Sequence, residues 1–235
     1  MSTRDGLSRR AFLNCTAALG AGAVAASASA LGGRLLAEEV PVPLPPPANP
    51  AEAVKWLHDG NLRFASGKPI SPERDLIHLR EVAPQQRPFA AVLGCADSRV
   101  PVEIVYDQGF GNVFVVRVAG NIATAVEIAS LEYGTQVLGA SALVVLGHSN
   151  CGAVKAALAG GEVPGQISTL YQHIAPALNR KKMDLDAAVV ANVRYQMQKL
   201  RKGSTVIPKL IAENKIALVG GVFDLTSGTV KPVEA

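Results

Sequence analysis

Four short apolar runs, at residues 89–93 (FAAVL), 113–117 (VFVVR), 142–146 (ALVVL) and 216–222 (IALVGGV), alternate with stretches of helical periodicity. Each run is short and apolar at nearly every position. None shows the strict polar–apolar alternation of a sheet that faces water on one side. Runs of this kind are strands covered on both faces, and strand–helix alternation builds a mostly parallel β-sheet flanked by helices. Between them, residues 124–138, 186–199 and 205–214 carry helical patterns. The expected class is therefore α/β. Gly109/Gly111 and Gly220/Gly221 lack the spacing of a dinucleotide-binding turn, so no nucleotide cofactor is expected.

Two segments precede the folded domain. In residues 1–37, Ser8-Arg9-Arg10-Ala11-Phe12-Leu13 leads into an Ala/Gly-rich run ending near Leu31. A basic start, a weakly apolar middle and small residues at the end describe an export signal, and the paired arginines resemble a twin-arginine signal. Gly20, Gly22, Ser27 and Ser29 weaken any bilayer span, so no stable membrane span is expected after processing. The expected destination is the periplasm or a thylakoid lumen. Residues 38–50 form a proline-rich linker that cannot be helical. The folded domain is then 51–235. It opens with a helix over 51–64, whose stripe of Val54, Leu57 and Phe64 suits an N-terminal arm docking on its own core or on another subunit.

The formal charge is +4. Residues 1–37 hold four arginines against Asp5 alone, and the rest of the chain is nearly neutral, with 19 basic against 18 acidic side chains. The basicity belongs to the leader, and no nucleic-acid partner is expected.

Two stretches follow strands directly. Gly94-Cys95-Ala96-Asp97-Ser98-Arg99 comes after the first, and Gly147-His148-Ser149-Asn150-Cys151-Gly152 after the third. The second starts like the G-x-S-x-G elbow of a serine hydrolase, but Cys151 replaces the last glycine and His173 is the only later histidine. Cys15 falls in the leader, leaving Cys95 and Cys151. In an exported protein two cysteines commonly pair. Here His148 shares the site, and carboxyl ends of parallel strands collect ligands, so Cys95, His148 and Cys151 read as a zinc set. Asp97 has two options: to be a fourth ligand, or to pair with the Arg99 guanidinium and leave that position open.

Cys95-x-Asp97-x-Arg99 with His148-x-x-Cys151-Gly152 resembles the β-class carbonic anhydrases, from about residue 51 to 224. The similarity includes Val115-Val116-Arg117-Val118-Ala119-Gly120-Asn121. It implies one Zn²⁺ per subunit and reversible hydration of CO2 to bicarbonate by hydroxide on zinc. Asp97 would orient that hydroxide and Arg99 would hold Asp97. Gln86 would be a substrate-side glutamine, Phe114 and Tyr133 would line the pocket across a dimer interface, and Gly152 would offer its backbone amide. Periodicity alone reads Phe114 and Tyr133 as core. A homodimer or higher homo-oligomer is implied, with the first helix reaching a neighbour.

A site with two thiolates is less electropositive than one with three histidines, so activity should favour alkaline pH. Some family members bind inhibitory bicarbonate through a tryptophan and a tyrosine. Residues 91–93 and 222–224 offer neither, so such inhibition is not expected here. His58, His78 and His173 read as idle, the last two in irregular segments, and Trp56 reads as packing. Two rivals remain: hydrolysis of carbonyl sulfide or carbon disulfide on the same site, and a non-catalytic zinc protein in which Asp97 closes the metal shell.

Overall fold

A computed structural model describes residues 46–234. The twin-arginine-type leader, Cys15 and most of the proline-rich linker lie outside the described residues.

Helix α1 (Pro50–Ala65) starts where Asn49 accepts a hydrogen bond from the Glu52 N–H at 3.0 Å, and Pro50 takes a first-turn position that needs no donor. It buries Ala53, Leu57, Gly60 and Asn61. A Cβ at Gly60 would stand 1.9 Å from the Tyr106 carbonyl oxygen, so only glycine permits this approach. Asn61 fastens the helix. Its Nδ2 donates to Val105 O and Gly228 O, each at 3.0 Å, and its Oδ1 accepts from Val230 N at 2.7 Å. The buried face of α1 thus docks on its own core. Trp56 packs edge-on against Phe89, with centroids 5.4 Å apart.

The sheet comprises β1 (Ala90–Gly94), β2 (Val113–Arg117), β3 (Ala142–His148), β4 (Ala217–Phe223) and β5 (Val230–Val233), in the order β2-β1-β3-β4-β5. The first four are parallel, and β5 runs antiparallel on the edge of β4. Alternate residues divide between two cores, as the two-residue period of a strand requires. Ala91, Leu93, Leu143 and Val145 face one cluster, with Leu131 of α4 (Ala125–Glu132) and Val193, Met197 and Leu200 of α7 (Leu185–Gly203). Ala90, Val92, Val144 and Leu146 face the other, with α1 and α3 (Val102–Val105). At about 25 cal/mol per Å² of apolar surface removed from water, this two-sided burial is the main term holding the sheet.

Several elements depart from the sequence reading. β3 runs two residues past the expected end, through Gly147 and His148. The helix expected over 124–138 is α-helical only in α4; Tyr133–Val137 forms a wider π-turn. His78 lies in α2 (Leu76–Val82) and His173 in α6 (Ile167–Ile174), not in irregular segments. α2 spans seven residues and α6 eight, too short for helical periodicity to stand out in the sequence, although Leu170, Tyr171 and Ile174 of α6 pack on the core. α5 (Gly152–Ala159) and α8 (Ile207–Ala212) complete the helices. β5 was not anticipated; it carries Pro232, which an edge strand tolerates. Among the described residues, no helix is long and apolar enough to cross a membrane.

Candidate metal centre

Register brings the two motifs together. Gly94 at the end of β1 pairs with Leu146 of β3, and β3 continues to His148. Cys95 therefore leaves the sheet beside the last residues of β3. Asn150, at φ +52, reverses the chain, and Cys151 caps α5. Asparagine is among the few residues that adopt this conformation readily. The ligand atoms of Cys95, His148 and Cys151 all lie within 4.8 Å of one another, and all three residues are buried. Both cysteines are free thiols rather than a disulfide.

His148 Nδ1 lies 2.9 Å from Ser149 O. A carbonyl only accepts, so Nδ1 carries the proton and Nε2 presents a lone pair. Among the described residues, only His148 Nε2 and Asn121 Nδ2 are buried side-chain polar atoms without a partner. An orphaned imidazole lone pair beside two sulfurs fits a zinc ion. The thiols divide one proton. The Cys151 hydrogen bond pulls Cys95 toward thiolate against its burial, helped by the backbone amides of Gly120 and Asp97. That same shared bond and burial push Cys151 up.

Asp97 stands outside the three-donor cluster. Its Oδ2 is 3.8 Å from His148 Nε2. Arg99 takes both oxygens, Nε to Oδ1 at 2.9 Å and Nη2 to Oδ2 at 2.7 Å. Of its two options, the carboxylate is in the guanidinium-paired one. Those side-chain hydrogen bonds hold it well below the usual carboxylate range, although burial opposes them. Arg117 had no role in the sequence reading. It donates to Cys95 O at 2.9 Å and Asp97 O at 2.6 Å, clamping the loop that carries both residues. Ser149 is a turn residue: its Oγ accepts from Leu225 N at 2.9 Å.

The substrate-side residues are divided. Gly152 opens α5 beside Cys151. Gln86 is exposed on the loop before β1, and Phe114 pairs with Ala91, the second residue of that strand. At roughly 3.3 Å per residue this is the far end of the sheet from Cys95. Phe114 packs on Tyr133 with centroids 6.2 Å apart, and Tyr133 is 48% exposed rather than core. Within one chain these three do not meet the metal cluster. Arg99 also lines an open groove of about 580 Å³ with Phe64, Phe223, Leu225 and Thr226, and none of the three donors lines it. His58 is exposed, and His173 Nδ1 is 3.1 Å from Lys199 Nζ.

A parallel α/β sheet carrying two sulfurs and an imidazole at adjacent strand ends, with a guanidinium-held carboxylate alongside, defines a zinc-enzyme class of site. The family model for carbonic anhydrase matches residues 90–230. A carbonic anhydrase of Mycolicibacterium smegmatis is 39% identical over 194 residues, covering 79% of this chain and 94% of that protein. A solved Coccomyxa β-carbonic anhydrase in complex with acetazolamide superposes with a TM-score of 0.62 at 27% identity, covering 75% of this chain and 84% of that one. Tetrameric β-carbonic anhydrases of Sordaria macrospora share the fold, with a TM-score of 0.60 at 24% identity over 77% of this chain and 97% of that one. This chain belongs to the carbonic anhydrase family, in its β class.

Proposed function

We propose that this protein catalyses reversible hydration of CO2 to bicarbonate and a proton, with one zinc per subunit held by Cys95, His148 and Cys151. The observation that carries this reading is the convergence of those three donors within 4.8 Å, with His148 Nε2 left unpartnered. Bound there, zinc supplies a water acidified to near neutral pH.

The remaining steps belong to the chain. Asp97 accepts a hydrogen bond from the nucleophile and turns its lone pair toward the carbon. Arg99 keeps Asp97 off the metal and so leaves a position for substrate. The backbone N–H of Gly152, at the start of α5, steadies a substrate oxygen. Gln86, Phe114 and Tyr133 serve the site of a second copy, which supports a homo-oligomer. The exposed apolar residues Leu76, Ile77, Val126 and Val137 support the same reading. The leader directs export by the twin-arginine route, to a periplasm or thylakoid lumen.

Metal analysis of the mature protein with stopped-flow CO2 hydration tests the reading. Stoichiometric zinc and rapid hydration are expected, with activity lost and zinc kept in Asp97→Ala. Slow hydration beside rapid sulfide release from carbonyl sulfide would overturn the substrate. Zinc without either activity would overturn catalysis.

A further inference from the structure

We propose that Asn192 and Gln196, two amides on α7, are positioning residues for the metal ligand Cys95. They act through the backbone of Gly120, and the inference rests on Cys95 being a ligand. Both side chains are fully buried, one helical turn apart, on a face otherwise made of Ala188, Val189, Val193, Met197 and Leu200. Burying two amides is costly unless each is hydrogen-bonded, so their partners say what they hold in place.

The bonds trace a continuous path. The Gly120 N–H donates to Cys95 Sγ at 3.3 Å. The Gly120 carbonyl accepts from Asn192 Nδ2 at 2.9 Å. Asn192 Oδ1 accepts from Gln196 Nε2 at 2.8 Å, which fixes the orientation of the Asn192 amide. Gln196 Nε2 also donates to His173 O at 2.9 Å, and its Oε1 accepts from Ala123 N at 2.9 Å. Gly120 is thus held on both sides, and the turn that follows it is tied to the same helix. Its φ of +75 is left-handed, and a Cβ there would meet Ile174 Cδ1 at 2.6 Å, so the turn depends on glycine and cannot relax into a commoner conformation.

A hydrogen bond to a thiolate withdraws charge from sulfur and weakens its donation to a metal, which keeps the metal a stronger Lewis acid. The Gly120 N–H does this only while the turn holds its orientation. Arg117 separately fixes the Cys95 carbonyl, so loss of the amides alters the environment of the sulfur without removing the ligand.

Cobalt(II)-substituted protein reports the effect directly, because its thiolate-to-metal charge-transfer band follows the electron density on sulfur. In Asn192→Leu the band is expected at longer wavelength than in the parent, because sulfur regains the charge that the Gly120 N–H withdrew. In Gln196→Met, which keeps the Asn192 donor but frees its orientation, the band is expected to move the same way by less. If Asn192→Leu does not fold, the shift in Gln196→Met alone decides. Cobalt-loaded variants that melt earlier but keep the parent band would overturn this proposal alone, leaving the amides as packing. A parent that takes up no cobalt would instead overturn the reading of the metal centre.

Discussion

Arg99 grips Asp97 through both carboxylate oxygens and through its own N–H, which reaches Oδ1 at 2.9 Å. The same carboxylate has an oxygen 3.8 Å from His148 Nε2, close enough to swing onto a metal if released. The guanidinium fork decides between the two positions. A lysine cannot reproduce it, because an ammonium is a single point of attachment. Arg99→Lys is expected to retain zinc and lose about 10–100-fold in kcat. Stopped-flow hydration with metal analysis checks this. Near-parent turnover would show that Asp97 needs no such grip.

Asp97 also sets a pH dependence. Its side-chain bonds to Arg99 hold the carboxyl below its ordinary value, against burial. A carboxyl depressed in the folded state adds stability above its unfolded pKa of about 4 and loses it as pH falls toward the folded value. Asp97→Asn forgoes that contribution. Its melting temperature should lie below the parent's near neutral pH, and the gap should close below about pH 4. Calorimetry across that range checks the sign, and a gap that widens on acidification contradicts it. The group stays ionised throughout the neutral range, so any fall in activity from alkaline to neutral pH arises elsewhere in the site.

β1 and β3 were legible because burial on both faces leaves an unbroken apolar run, and β2 and β4, partly exposed in one chain, carry the same pattern. α2 and α6 were not, since a helix of seven or eight residues repeats its apolar spacing only about twice. The donors stood out because Cys95, His148 and Cys151 had no simpler joint explanation. Arg117 and Gly120 did not, because one acts on carbonyls and the other through its own N–H, and neither leaves a spacing pattern. Asn192 and Gln196 left one trace, a pair of amides four residues apart on an apolar helical face. Gln86, Phe114 and Tyr133 came only from family resemblance, and one chain does not gather them at the metal.

Metal removal should destabilise the fold. Without an ion, His148 Nε2 is an unpartnered buried atom and Cys95 and Cys151 must share a proton. A ligand bound only by the folded state stabilises it by about 4 kcal/mol at 1,000 times its Kd. Chelation is expected to abolish activity and lower the melting temperature, and stoichiometric zinc to restore both. An unchanged melting temperature after proven zinc loss would contradict this.

Asn61 ties α1 to the Val105 carbonyl and to the turn before β5 through three hydrogen bonds. Asn61→Ala leaves those backbone groups unpaired and is expected to cost about 3 kcal/mol, read from urea unfolding midpoints at constant m-value. The turn also lines the groove beside Arg99. Activity at low denaturant should therefore fall before global unfolding. Coincident loss of activity and structure would place Asn61 in global stability alone.

Tyr133 and Phe114 pack on each other at the end of the sheet away from Cys95, with Tyr133 half exposed. If they complete a neighbour's pocket, Asp97→Ala and Tyr133→Ala damage different halves of a shared site. Each variant alone should have two defective sites per dimer. Mixed subunits should restore one intact site per heterodimer, formed by Asp97 of one chain and Tyr133 of the other. Random reassociation of equal amounts makes half the dimers mixed, so about a quarter of all sites should recover. Stopped-flow hydration after dissociation and reassociation measures that fraction. Activity no greater than the average of the separate variants would mean that Tyr133 serves only its own chain or none.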